Sequence, residues 1–190
     1  VATEQQILEV SSQIATAGNL AGFTNTEIVG LSSALASLGV APEQSRGAIM
    51  RVFGDITEAV STGGDSLAAF AATSGMSAQD FKSQWGTNSQ EVFTGYINGL
   101  SQLDKGLLDV TLKQQGFINV RDRNVLTRLA NNTEVYAQAL AEAGTAYQEN
   151  TALAEGYNTA TDNLIDNATR LKNVLLDIAQ SAGNSAVFNV

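Results

Sequence analysis

The feature that most constrains this chain is a helix start written repeatedly in the same way. In "GFTNTEIVGL", the Thr24 side chain is placed to accept from the backbone N–H of Glu27, and the Glu27 side chain is placed to reach back to Thr24. That is a capping box, with Phe23 and Ile28 at the flanking positions where two apolar side chains staple the entry. In "GMSAQDFKSQW", Ser77 takes the cap, Met76 and Phe81 the staple, and Asp80 stands as a shorter substitute for glutamate. In "TNSQEVF", Thr87 and Gln90 spell a third box. Gly18, Gly39, Gly75 and Gly86 precede or follow these signals where a left-handed residue is expected to close a helix. A chain that restarts helices at such short intervals is expected to be all-α: a multi-helix domain of short helices.

Periodicity points the same way. Ile28, Leu31, Leu35 and Leu38 line one helical face, and Ile49, Val52, Phe53, Ile56 and Val60 the next. Val92, Phe93, Tyr96, Ile97, Leu100 and Leu103 form the strongest stripe. No convincing alternating run of β-branched residues occurs. Aromatic residues make up only 6% and there is a single proline, which suits helices better than a β-sandwich. About seven or eight helices are expected up to about residue 144. One core is expected to contain Leu31, Leu35, Val52, Phe53, Phe93, Tyr96, Ile97 and Leu100, and Trp85 with Phe81 and Phe93 reads as core.

The chain divides into a helical core domain at 1–145, a long helix or coiled-coil-like extension (or hairpin) at 146–182, and an irregular tail at 183–190. Within the extension, Tyr157, Thr161, Leu164, Ala168, Leu171, Leu175 and Ile178 are spaced alternately four and three apart. This is a seam of about three heptads, weakened by Thr161 and Ala168. Tyr157, Leu164, Leu171, Leu175 and Ile178 are therefore the candidate oligomer seam. Its partner is expected to be the same helix of another copy, or the helix near 125–143 folded back through a turn at Gly144 and Thr145.

The stretch "LASLGVAPEQSRGAIMRVFGDI" holds the only proline and a Ser-Arg-Gly that could be taken for part of a phosphate loop. A phosphate loop needs a preceding strand and a Gly-x4-Gly-Lys-Ser/Thr run, and neither is present. Gly39 instead ends one helix, and Pro42 opens the next with Glu43 beside it. Gly47, inside that helix, is expected to mark close approach by a neighbour. The joint is an αα-hairpin; its flanks carry too few cations for a DNA-reading helix.

Histidine and cysteine are absent, which removes Cys/His zinc sites, Ser-His-Asp triads, cysteine nucleophiles and disulfides. Asp55 with Glu58, and Asp162 with Asp166, are neighbours on one helical face rather than carboxylates across a cleft. No calcium-loop pattern occurs, and adjacent Lys82 and Ser83 are not placed as base and nucleophile. No catalytic residue, cofactor or metal is expected, and the chain does not read as an enzyme.

The net charge is -9, with no Lys or Arg before Arg46 or between Arg128 and Arg170, so a specific nucleic-acid surface is not expected. Arg121, Arg123 and Arg128 are the densest cations. They read either as local ion pairs around a helix start or as protein-contact cations for an acidic surface, such as another copy's. No apolar run of about 18 residues appears, so no membrane span is expected. No signal peptide is read at the start, and the chain is expected to be a segment of something longer.

The run "EIVGLSSALASLGVAPEQSRGAIMRVFGDI" resembles the core of phage tail tape-measure proteins. The resemblance continues through "AAFAATSGMSAQDFKSQWGTNSQEVFTGYINGLSQL" and "TLKQQGFINVRDRNVLTRLANNTEVYAQALAEAGTAYQEN", covering roughly residues 3 to 178. It implies a structural virion protein that sets tail length and scaffolds tail-tube assembly, then is expelled to let DNA pass. Its implied partners are other copies of itself, tail tube and tail tip proteins, and tail assembly chaperones. Its implied location is the tail lumen of the virion, and the host cytoplasm during assembly. No catalytic residues come with this core. The alternative reading is a non-phage helical-bundle interaction protein or secreted adaptor; a cell-wall hydrolase is the third.

Overall fold

The computed structural model describes residues 2–154, with side chains through residue 148. Among the described residues the chain is all-α, with nine helices and no strand. They are α1 (Glu4–Ala21), α2 (Asn25–Ser37), α3 (Pro42–Thr62), α4 (Gly64–Thr73), α5 (Ala78–Gln84), α6 (Ser89–Ser101), α7 (Lys105–Gln114), α8 (Val120–Ala130) and α9 (Thr133–Ala154). This exceeds the expected seven or eight, because short polar turns such as Asn131–Asn132 separate helices that periodicity alone runs together.

Four joints use one device. Gly22, Gly39, Gly75 and Gly116 take φ of 90°, 68°, 69° and 97°. The residue after each donates its N–H five positions back: Phe23 to Gly18 (2.9 Å), Val40 to Leu35 (3.0 Å), Met76 to Ala71 (2.9 Å) and Phe117 to Leu112 (3.0 Å). These are Schellman motifs, in which the left-handed glycine turns the chain and the next apolar residue drops onto the helix it has just left. Phe23, Val40 and Phe117 are buried, and Met76 packs partly buried on the core. Each joint thus ends a helix and sends an apolar side chain inward.

The starts are as legible. Thr24 and Glu27 form the full capping box, with bonds of 3.3 and 2.8 Å. Thr3 and Gln6 form another at α1. Pro42 opens α3, with Glu43 in its first turn. Ser77 caps α5 by accepting from Asp80 N–H at 3.0 Å, but the Asp80 carboxylate takes the Ser77 hydroxyl at 2.6 Å instead of its backbone N–H. Aspartate is one methylene too short to complete the box.

Three local expectations are corrected. Gly18 does not end a helix; it is buried within α1, and a Cβ there would lie 2.7 Å from Ile28. The staple residues Phe23 and Ile28 close over it, so its missing side chain is a packing requirement. Thr87 and Gln90 do not cap: α6 begins at Ser89, and Thr87 donates back to the Gln84 carbonyl. The reason is tertiary, since the Ser89 hydroxyl accepts from Gly86 N–H at 2.7 Å and donates to the carbonyl of Ala21. Gly47 is exposed, its nearest prospective contact being the Asp122 carboxylate at 3.8 Å. The close approaches occur elsewhere. A Cβ on Gly30 of α2 would lie 2.9 Å from the Leu140 Cα of α9, and one on Gly99 of α6 only 1.5 Å from the Thr73 carbonyl ending α4.

The helices are laid side by side around these contacts. α2 packs on α1 and α9, α1 on α3, α3 on α8, and α6 on α4 and α8. All eight expected core residues are buried, and Trp85 adds a bond from Nε1 to Thr57 at 3.0 Å. α9 runs unbroken through Gly144 and Thr145, so over its described part the helix expected from about 146 continues α9. No hairpin turn forms at those two positions.

Phe93 is fully buried and meets Phe23, Phe53, Tyr96 and Tyr136. Phe93→Ala is expected to cost ~3–5 kcal/mol, read as a lowered urea midpoint; an unchanged midpoint would contradict this packing. The glycines on α3 and α6 should respond with opposite signs. Gly54 has open space where a Cβ would go, so Gly54→Ala should stabilise by ~0.5–1 kcal/mol, whereas Gly99→Ala should destabilise by ~3 kcal/mol or more. Thermal melts of the two variants check the pair.

Candidate protein-contact surface

The three arginines of α8 have different fates. Arg123 is 8% exposed. Its Nε donates to Asp109 of α7 at 2.8 Å, and its guanidinium also donates to the carbonyls of Phe117 and Ile118. One cation thereby holds the α7–α8 joint closed. Asp109 is shared with Lys113 at 2.6 Å. The Lys113 hydrogen bond holds the Asp109 carboxyl below its usual range against the opposing effect of burial, and the Arg123 hydrogen bond and the charge of both cations add to the lowering.

Arg128 is exposed, but its guanidinium donates to the Leu38 and Gly39 carbonyls at 3.1 and 3.2 Å, where α2 ends. A cation there complements the negative end of the helix dipole and satisfies two terminal carbonyls. Arg121 stands exposed in the first turn of α8. The sequence pattern left the three as either local ion pairs or contact cations; the structure engages Arg123 and Arg128 inside the fold and leaves Arg121 facing solvent. The seam residues Tyr157, Leu164, Leu171, Leu175 and Ile178 lie outside the described residues, as do Asp162, Asp166 and the 183–190 tail.

The remaining reactive groups are engaged structurally or stand apart. Asp55 pairs with Arg51 one helical turn away at 3.0 Å, and Ser83 donates to the Asp80 carbonyl. Buried Tyr96 donates to Gln115 Oε1 at 2.6 Å, and Gln115 Nε2 passes the link to Thr73 at 2.8 Å, joining α6, α7 and α4. Burial pushes the Tyr96 phenol well above its ordinary value, and the negative charge of Asp55 adds to the rise. An open groove of 740 Å³ runs between the end of α4 and α6, lined by Thr73, Ser74, Asn98, Gln102, Leu103 and Thr111 among others. No titratable side chain lines it. Among the described residues no group of three or more carboxylates is placed to hold a metal, and no helix is long and apolar enough to cross a membrane.

A different surface was missed by sequence reasoning. Leu107, Val110, Ile118 and Val120 are all exposed along α7 and the α7–α8 joint. The signal was present, because Leu107 and Val110 fall opposite Leu108 and Leu112 on the α7 wheel, but the helix is too short for two apolar faces to be told apart from one. Comparison with protein-family models, with curated proteins and with solved structures found no match.

The two neighbouring arginines give a direct test. Arg123→Ala should destabilise by ~2–3 kcal/mol, because the carbonyls at Phe117 and Ile118 and the Asp109 carboxylate lose a charged donor together. Arg121→Ala should leave the denaturation midpoint within ~0.5 kcal/mol of wild type. Chemical denaturation of both variants decides it.

Proposed function

We propose that this chain is a structural segment of a phage tail tape measure. It contributes to setting tail length and to scaffolding the tail tube, and leaves before DNA passes. The observation carrying this reading is the order of the quoted stretches that resemble the tape-measure core, which fall in sequence on α2 through α9. Two further features support it. The described residues are all-helical, and a long uninterrupted helix continuing from such a domain would advance about 1.5 Å per residue, converting length in sequence into length in space. Ser89 and Arg123, two of the buried polar side chains, bond across helix joints, which suits a protein that works by contact.

On this reading the partners are further copies of the chain, tail tube and tip proteins, and assembly chaperones. The sites are the tail lumen and, during assembly, the host cytoplasm. Self-association through the 157–178 seam belongs to the same proposal.

The test is genetic and structural. In-frame duplication of this segment within the open reading frame that carries it should lengthen assembled tails in proportion to the added residues, seen by electron microscopy. Tails of unchanged length, or an open reading frame with no tail-length phenotype on deletion, would contradict the reading. Purified protein should also release no soluble fragments from peptidoglycan; lysis lost on changing one carboxylate would make it a hydrolase instead.

A further inference from the structure

The sequence contains one Asn-Gly pair, Asn98-Gly99. The pair matters chemically, because glycine has no side chain to shield its N–H. In a flexible chain, base takes the amide proton and the glycine nitrogen attacks the asparagine side-chain carbonyl carbon. Ammonia leaves and a succinimide ring closes. Water then opens the ring at either carbonyl. One product is aspartate; the other is isoaspartate, in which the main chain runs through the side-chain carbon.

Asn98 stands exposed on the groove between the end of α4 and α6, within reach of water. Yet the fold holds the pair in place. Both residues lie in the last turn of α6, which ends at Ser101. In a helix the Gly99 N–H points at the carbonyl four residues back, that of Gly95, so its nitrogen is turned away from the Asn98 side chain. The Ser101 hydroxyl donates to the Asn98 carbonyl at 2.7 Å, fixing the same peptide from its other side. Gly99 lies so close to the Thr73 carbonyl that a Cβ would stand 1.5 Å from it. Just beyond, the helix tightens and ends: Gln102 and Leu103 donate three residues back, to Gly99 and Leu100, at 3.2 and 3.1 Å. A helix end is where a fold opens most readily. Here that opening requires Gly99 to part from the end of α4.

We propose that Asn98 is a latent modification site, closed while α6 is docked on the end of α4 and converted to aspartate or isoaspartate once α6 opens there. The conversion is one-way. Isoaspartate inserts an additional carbon into the main chain where Gly99 has no space to shift against Thr73. Aspartate puts a negative charge in the last turn of α6, at the negative end of its dipole. That turn holds no basic residue, and no titratable side chain lines the groove to offset the charge. Either product keeps α6 from closing as before, so a transient opening leaves a permanent change. Water and base are the only reagents. The proposal rests on the α4–α6 contact alone and is independent of the tape-measure reading.

The test compares the full chain, native and unfolded in guanidinium, in warm and mildly alkaline buffer. Peptide mapping by mass spectrometry reads conversion at Asn98 as the mass gain of replacing an amide NH2 by OH. The native chain should convert at least about tenfold more slowly than the unfolded one. Ser101→Ala removes the hydroxyl that fixes the Asn98 peptide; it should raise the native rate severalfold and leave the unfolded rate unchanged. Chain converted while unfolded and then returned to buffer should melt below an unconverted control. Asn98→Ser, which cannot close the ring, should melt unchanged after the same treatment. Equal rates in the native and unfolded chains overturn the proposal, as does an unfolded chain whose Asn98 stays intact. So does a native rate that Ser101→Ala leaves untouched, or converted chain that melts at the wild-type midpoint.

Discussion

The structure depends on one connected network of aromatic rings. Phe23 stacks on Phe53 at 4.6 Å, and Phe93 meets Phe53 edge-on at 5.2 Å. Trp85 closes against Phe23 and Phe53 and stacks on Phe81. From Phe93 the network passes to Tyr136, and through Tyr96 and Phe70 to Phe117. These residues come from helix joints as well as helix interiors, so every helix contributes a ring, adjoins one, or packs against an element that does. The sequence has few aromatic residues, and the fold places nearly all those of the described residues in this one network. Pairs of this geometry contribute about 0.5–1.5 kcal/mol each beyond the apolar area they remove from water.

The helix joints matter because they deliver those rings. Phe23 and Phe117 each follow a left-handed glycine and turn inward as that glycine ends a helix. The bond from Ser89 to the Ala21 carbonyl then fixes the α1–α2 joint against the start of α6. Gly22 is packed there so closely that a Cβ would lie 2.6 Å from the Gly86 carbonyl. Local chain chemistry and long-range packing therefore act at the same residues, which is the consistency a single well-defined fold requires.

Much of this was legible in the sequence, and the reason is physical. A capping box, a proline at the first helical position and a glycine after the last turn are instructions carried within a few residues, so Thr24 with Glu27, Pro42, Gly39 and Gly75 could be read directly. The helical stripes named the core for the same reason. What failed depended on contacts outside the helix turn that carries the signal. Gly18 looks like a helix end until Ile28 is seen above it, and Thr87 looks like a cap until Ser89 is seen bonded to Ala21. Arg123 looks like a surface cation until its carbonyl acceptors are in place. The three cations could be named, but that Arg123 and Arg128 bond within the fold while Arg121 faces solvent follows from where α7 and α2 end. The exposed apolar side chains at 107–120 needed the burial pattern itself.

The aromatic network joins the amino-terminal helices to those after residue 85 in one cooperative unit. Native-state hydrogen exchange tests this most directly. The slowest amides of α2, α3 and α6 should share a single opening free energy, equal to that of global unfolding and equally sensitive to denaturant. If α3 retained its protection while α6 exchanged through a smaller, separate opening, the two halves would be independent and the network would not be what holds the fold together.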